Sequence, residues 1–405
     1  MTLRLLPQSA LPDAIRLLSA KGIRAFADGF VSIILPAYLI TLGFDATAVG
    51  VLSTATLLGS AAATLGVGWL AGRARRRTLL LIASVIMVAT GLCFAWFDSY
   101  WPLLVVAMIG TINPSAGDVS VFYPLEYAAL AGTAADKDRT ALFARYSLVG
   151  SLAGAFGALF AGVPQLVGAG ADALPAFKAM FVLYAVIGIG AGLIYRRLDS
   201  ADERNAAVPS APLGPSRRRV WGLAALFCVD SFGGGLIVQS MLALWLFDRF
   251  ALSLGTTANI FFFTNLLTAV SFLAAAPLAR RIGLINTMVF THLPSSISLM
   301  LVPFAPTIGI AIALLLFRSA LSTMDVPART SYVMAVVTPP ERTAAASFTA
   351  VPRSLAAALG PAAAGVLLTA SAFGWPLLIG GALKAIYDIA LWVSFRAVRP
   401  PEETR

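Results

Sequence analysis

Histidine occurs once and cysteine twice among the 405 residues of this sequence, and each scarcity excludes a class of chemistry. A lone histidine, His292, cannot assemble the metal clusters or acid-base dyads on which most enzymatic sites depend, so no catalytic residue is assigned. Cys93 and Cys228 fall in separate apolar stretches, which leaves neither a disulfide framework nor a metal-ligand spacing; both thiols are expected to be buried and inert. Charge is scarce as well. Only 12% of residues are ionisable by sign, roughly half the fraction of a water-soluble protein. No G-x-x-x-x-G-K-[ST] phosphate loop occurs, which removes ATP as the direct energy source. The opening stretch, MTLRLLPQSALPDAIRLLSAKG, lacks the apolar core and cleavage site of a signal peptide and reads as an amphipathic lead-in to a first span.

What the chain does have is hydrophobic length, since 59% of its residues are hydrophobic. A bilayer-spanning helix needs about 20 mostly apolar residues, and such runs recur at 22–43, 48–71, 78–97, 102–129, 141–163 and 175–195. Six more follow at 220–246, 256–279, 284–304, 307–336, 344–370 and 375–396. The fold class expected is therefore an all-α polytopic membrane protein of twelve spans. Residues 196–219, rich in Pro, Ser and charge, read as a cytosolic linker between an N-terminal bundle, 1–195, and a C-terminal bundle, 220–405.

The formal net charge of +10 is no sign of nucleic acid, because the basic residues lie between apolar spans rather than on one soluble face. Assigned to alternate loops, Lys and Arg divide 21 to 1, with only Arg249 on the sparse side. Such an asymmetry predicts cytoplasmic termini.

The two halves also repeat each other. Asp28 answers to Asp230, Asp118-Val119 to Asp325-Val326, and Asp138-Arg139-Thr140-Ala141 to Glu341-Arg342-Thr343-Ala344; Arg145 matches Arg353 and Lys178 matches Lys384. Ionisable residues are rare inside spans, so their coincidence carries more weight than matching Leu or Ala. Two six-span repeats of the same orientation are the plan of a large transporter class.

With that plan the chain resembles the major facilitator superfamily over nearly its whole length. The sharpest match is GWLAGRARRR at 68–77, similar to that family's loop signature G-x-x-x-D-R-x-G-R-R. Gly68, Arg73, Arg76 and Arg77 stand in register with it, while Gly72 replaces the acid and Arg75 the second glycine. A weaker copy, LARRIG, places Arg281 and Gly283 in the second half. The resemblance implies a latch between the bundles at this loop, weakened or differently built without the acid; topology signalling alone would also explain the arginines. It further implies that spans 1, 4, 7 and 10 line a central cavity, with 3, 6, 9 and 12 supporting from outside.

An ionised side chain at mid-membrane costs at least ~2.5 to 3.5 kcal/mol on insertion scales, so each should face a cavity or a partner. Asp28, Asp118, Asp230 and Asp325 fall one on each lining span. Asp28 lies one turn after Arg24, within reach of an ion pair. Asp230 has no basic residue within a turn, which would favour its neutral form; Asp230 and then Asp28 are the proton-coupling candidates, with structural hydrogen bonding as the alternative. Asp118, Glu126, Arg145, Arg318, Asp325, Arg329 and Arg353 are candidates for the substrate cavity. Arg145 falls at a depth reachable from Asp118 or Glu126, and Arg318, Asp325 and Arg329, spaced 7 and 4 apart, would share one helical face suited to a polar or anionic solute. Charge pairing between spans explains the same residues. Lys384 and Asp388 read as a structural i,i+4 pair, Lys178 as structural, and His292 as a satisfied polar group on a supporting helix. Pro36, Pro114, Pro277 and Pro327 are possible hinges.

These features point to a secondary transporter working by alternating access, coupled to protons, with export of a drug or metabolite favoured over uptake. The alternative is an uptake permease for a sugar or organic anion; a passive channel or receptor is more remote. The partners expected are a small-molecule solute, protons and the lipid bilayer, with no cofactor and no nucleic acid. The chain is expected to work as a monomer in a bacterial cytoplasmic (inner) membrane.

Overall fold

The computed structural model describes residues 11–70, 74–115, 120–133, 136–167, 173–198 and 213–398, and these are helical with no strand among them. In hydrocarbon an unpaired backbone group costs several kcal/mol, so apolar runs resolve into helices whose bonds are all internal. The first half contains α1 (Pro12–Thr41), α2 (Ala46–Leu70), α3 (Arg76–Trp96), α4 (Tyr100–Ile109), α5 (Phe122–Ala131), α6 (Asp136–Phe160), α7 (Val163–Val167) and α8 (Ala173–Tyr195). The second contains α9 (Arg217–Gly235), α10 (Gln239–Phe250), α11 (Leu254–Ile282), α12 (Leu284–Leu301), α13 (Ile308–Leu321), α14 (Asp325–Ala335), α15 (Arg342–Ala370) and α16 (Trp375–Phe395). Among the described residues, 11 segments are long and apolar enough to cross a membrane, and α4 is a shorter apolar helix.

The chain divides into two compact units, Met1–Asn205 with Leu252–Phe262, and Ala206–Ala251 with Phe263–Arg405. The first turns of α11 belong to the first unit, within which the Gly255 N–H donates to the Gln165 side chain at 2.7 Å.

The first span starts earlier than its apolar run. Instead of a separate amphipathic lead-in, α1 runs unbroken from Pro12, whose missing N–H costs nothing in the first turn. Lys21 and Arg24 do not interrupt it, since the Lys21 ammonium lies 5.2 Å from the Tyr146 ring centroid and Arg24 is paired with Glu126. Three other expected spans are broken: 102–129 into α4 and α5, 220–246 into α9 and α10, and 307–336 into α13 and α14. At the first break Tyr184 donates its hydroxyl hydrogen to the Thr111 carbonyl at 2.9 Å, satisfying a group that the helix has released. Of the four prolines expected as hinges, Pro114 falls in that break, while Pro36 and Pro277 lie within continuous helices and Pro327 sits in the first turn of α14. The two cysteines are half-buried rather than buried, and both are free.

Each unit is held by the same pairs of spans. In the first, α1 packs on α6 and α3 on α8; in the second, α9 packs on α15 and α12 on α16. Lipid is as apolar as leucine, so helix association depends on small residues that let backbones touch. A Cβ on Gly157 of α6 would overlap the Phe26 carbonyl of α1, and one on Gly235 of α9 would overlap the Ala357 carbonyl of α15. The outer faces carry aliphatic stripes. On α8, Val182, Val186, Ile189 and Leu193 are exposed at helical spacing while Phe181, Tyr184, Gly188 and Tyr195 are buried on the other face.

Outside the spans, Glu341 ties the start of α15 to that of α9. Its carboxylate accepts from the Thr338 hydroxyl at 2.5 Å, the Ser216 hydroxyl at 2.7 Å and the Gly214 N–H at 2.5 Å. These bonds, Thr338 and Ser216 foremost, favour the ionised form and hold the acid at about 2. Because the folded value is lowered, the contribution is complete above about 4.5 and is lost as pH falls toward about 2.

Two outcomes are expected. Gly157→Ala lowers the thermal unfolding midpoint in detergent, at a cost of about 1 to 3 kcal/mol from overpacking, whereas Gly66→Ala, with open space around it, leaves the midpoint unchanged or raised. Between pH 4.5 and about 2 the wild-type midpoint falls, and Glu341→Gln flattens that slope; an identical slope in both proteins would rule out this tie as its source.

Candidate functional site

Each unit holds one buried network of intramembrane charges. In the first, the Arg24 guanidinium on α1 pairs with Glu126 on α5 and donates to the Tyr195 hydroxyl of α8 at 3.0 Å. Tyr146 of α6 donates to one Glu126 oxygen and Tyr195 to the other, each at 2.5 Å. The Phe122 ring lies 4.1 Å from the guanidinium carbon, supplying a cation–π contact. A buried ion pair offsets its desolvation only when the remaining lone pairs are filled, and the two tyrosines do this for Glu126, which is completely buried. Four helices are thereby pinned at one point. The i,i+4 contact expected between Arg24 and Asp28 is not the main one, because Glu126 and Tyr195 occupy the guanidinium; Asp28 is buried one turn further along α1.

The second network centres on Asp230 of α9. Lys384 of α16 donates to one carboxylate oxygen at 2.7 Å and Arg329 of α14 to the other at 3.1 Å. The Nε2 of His292 on α12 stands 3.7 Å from the first of these oxygens. Arg329 also reaches Asp325, one turn before it, at 3.5 Å. On its other side the imidazole meets Asp388 of α16, with Nδ1 at 2.9 and 3.0 Å from the two oxygens. Asp230, Asp325 and Asp388 are all buried.

Several expectations change here. Asp230 has no basic neighbour along its own helix, yet three bases from other helices surround it, so its expected isolation is corrected by packing. Lys384 and Asp388 are not an ion pair of their own; the first turns to Asp230 and the second to His292. The shared face of Arg318, Asp325 and Arg329 is interrupted because α13 ends at Leu321 and α14 begins at Asp325, leaving only the second pair in register. Lys384, His292 and Asp388 were legible as intramembrane charges, and their assignment to supporting helices alone obscured them.

Among the described residues, neither Arg318, in the last turn of α13, nor Arg353, on α15, has a hydrogen-bond or ion-pair partner for its side chain. The C-terminal end of a helix favours a cation such as Arg318. Arg145 is half-buried on α6 beside Tyr146. Lys178 forms a solvent-exposed pair with Asp98 at 2.7 Å, in keeping with a structural role.

Of the loop-signature residues, Gly68 lies in α2, while Arg73, like Asp118, lies outside the described residues. Arg76 donates to the Ala128 carbonyl near the end of α5 and Arg77 to that of Leu198 after α8, each at 3.4 Å. Arg281 is exposed, and Gly283 opens α12 at φ +87°, a conformation that favours glycine.

Comparison with known proteins agrees with this architecture. The profile of the Major Facilitator Superfamily matches residues 17–324. The uncharacterized membrane protein YJR124C of Saccharomyces cerevisiae is 25% identical over 413 residues, covering 93% of this chain and 92% of that protein. A bacterial homologue of the human lysosomal transporter Spinster superposes with a TM-score of 0.71 at 13% identity, over 96% of this chain and 98% of its own. The nucleoside transporter NupG gives 0.71 at 15%, over 95% and 100%. The human organic anion transporter MFSD10 gives 0.64 at 17%, over 94% and 100%. At such identities the structural likeness is one of fold. With a profile match across most of its length and spans enough to cross the bilayer repeatedly, the chain belongs to the Major Facilitator Superfamily and is an integral membrane transporter.

Proposed function

We propose that this transporter moves a small organic solute by alternating access, driven by protons, with the Asp230 network as the coupling element. One observation carries the reading: a single buried carboxylate holds cations from two other helices and faces an imidazole, in a medium where each of these charges is costly alone. Neutralising Asp230 would release Lys384 and Arg329 together, and freed cations must find another anion or water. A proton bound at this point therefore changes which helices are tied to each other, which is the requirement for coupling. Asp28, buried at the matching position of the first repeat, is the second coupling candidate.

Export is the direction that the family resemblance favours, with both termini on the cytoplasmic side. A second reading, transport of an organic anion in either direction, is supported by Arg318 and Arg353, whose guanidinium groups are left for an outside partner among the described residues. Arginine suits that task because its planar fork matches carboxylate and phosphate geometry.

The test is purified protein in liposomes with an imposed pH gradient, screened with radiolabelled nucleosides, sugars, organic anions and cationic dyes. Gradient-driven accumulation of at least one class is expected, with Asp230→Asn reducing it to the level seen without a gradient. Arg353→Gln selectively raises the KM for anions if the second reading holds. Accumulation that ignores the gradient, or that survives Asp230→Asn, would sink the coupling assignment. Comparison of whole cells with inverted vesicles decides direction.

A further inference from the structure

Asp388 is completely buried, and among the described residues its carboxylate has one hydrogen-bonding and ion-pairing partner, the Nδ1 of His292. This differs from the other acids of the network. Asp230 and Asp325 are both in contact with Arg329, and Asp230 also with Lys384, all permanent cations. A bare carboxylate in hydrocarbon is costly, and a neutral imidazole brings no charge to offset it. The Asp388–His292 pair is therefore stable when it holds one proton, and the proton can leave only if something else compensates the acid.

The ring's other nitrogen points at Asp230 from 3.7 Å, beyond hydrogen-bonding distance but close enough to be closed by a small movement. We propose that His292, backed by Asp388, is the residue that stores the coupling proton and delivers it to Asp230. The inference rests on the proton-coupled reading above. In the transfer the Nε2–H bond breaks and an O–H bond forms on Asp230, so the ring becomes neutral and the carboxylate of Asp230 neutral with it; no electrons change hands. Lys384 and Arg329 oppose this step while they are bound to Asp230, and transfer follows only when one of them is drawn away. Proton delivery and rearrangement of the ion pairs are thus parts of one event.

The ring is met by Asp230 of α9 and by Asp388 and Tyr387 of α16. Of the helices packed against α12, α13 carries Arg318, α14 carries Asp325 and Arg329, and α16 also carries Lys384; Cys228 lies on α9 and Arg353 on α15. His292 is the one titratable group of α12. Tyr387 packs edge-on to the imidazole with ring centroids 6.0 Å apart, and its buried hydroxyl has no hydrogen-bond partner among the described residues.

Because the chain has a single histidine, [15N]histidine labelling of the whole protein in lipid nanodiscs yields one imidazole, whose nitrogen shifts report its protonation directly. The expected result is an imidazolium form that gives way to neutral imidazole as pH is raised. Asp388→Asn is expected to cut the ratio of imidazolium to neutral imidazole at mid-range by about tenfold, equivalent to one pH unit, and Asp388→Glu to restore it. A ring that stays neutral throughout in the wild type, or a titration unmoved by Asp388→Asn, overturns the proposal. In the liposome assay, His292→Gln and Asp388→Asn are expected to lose gradient-driven accumulation, and Asp388→Glu to keep it. If the wild type accumulates under the gradient and both variants do so with its pH profile, the histidine assignment fails alone; if the wild type shows no gradient dependence, the coupling reading fails instead, and the nitrogen shifts still judge the pair.

Discussion

An ionised carboxylate in hydrocarbon must find a counter-charge inside the protein, and the internal order of both units follows from that demand. Glu126 collects Arg24 with Tyr146 and Tyr195, so that residues from α1, α5, α6 and α8 converge on one carboxylate. Asp230 does the same for α9, α14 and α16, with α12 alongside. Because neither acid has a basic residue within a turn on its own helix, its partners come from elsewhere in the bundle, and the pairing fixes helix rotation as well as position.

The two networks differ in how completely they are closed. Both oxygens of Glu126 are filled by permanent donors, which suits a tie that stays shut. The Asp230 network ends instead in an imidazole whose charge depends on a proton, with a carboxylate on either side of it. A buried ion pair of fixed charge contributes little net stability once desolvation is counted, whereas one whose charge can change alters which contacts are favourable. That asymmetry is the physical ground on which coupling is proposed for the second unit.

The repeat survives in the scaffold more faithfully than in the chemistry. The first span packs on the fifth and the third on the sixth in both halves, and in both the close approach depends on glycines facing a backbone carbonyl. Such contacts tolerate no side chain, so the pairing persists while polar groups diverge. Arg24 and Glu126 have no charged equivalents in the second half, and His292 has none in the first.

The sequence by itself determined the medium, the helical class and the repeated plan, because long apolar runs and rare intramembrane charges are local properties that no packing can reverse. It also marked Glu126, Asp230, Asp325, Arg329 and Arg353 as polar groups requiring explanation. Only the tertiary structure decided which charge meets which. Lys384 reaches Asp230 across 154 positions and His292 reaches Asp388 across 96, while the i,i+4 spacing of Lys384 and Asp388 pointed to the wrong partner. The breaks at 110–115, 236–238 and 322–324 were equally hidden, since hydropathy records how apolar a run is and not where its backbone bonds find other partners. Helical periodicity cannot sort faces when both are apolar, as on α8, and there the difference between lipid and protein neighbours lies in packing alone.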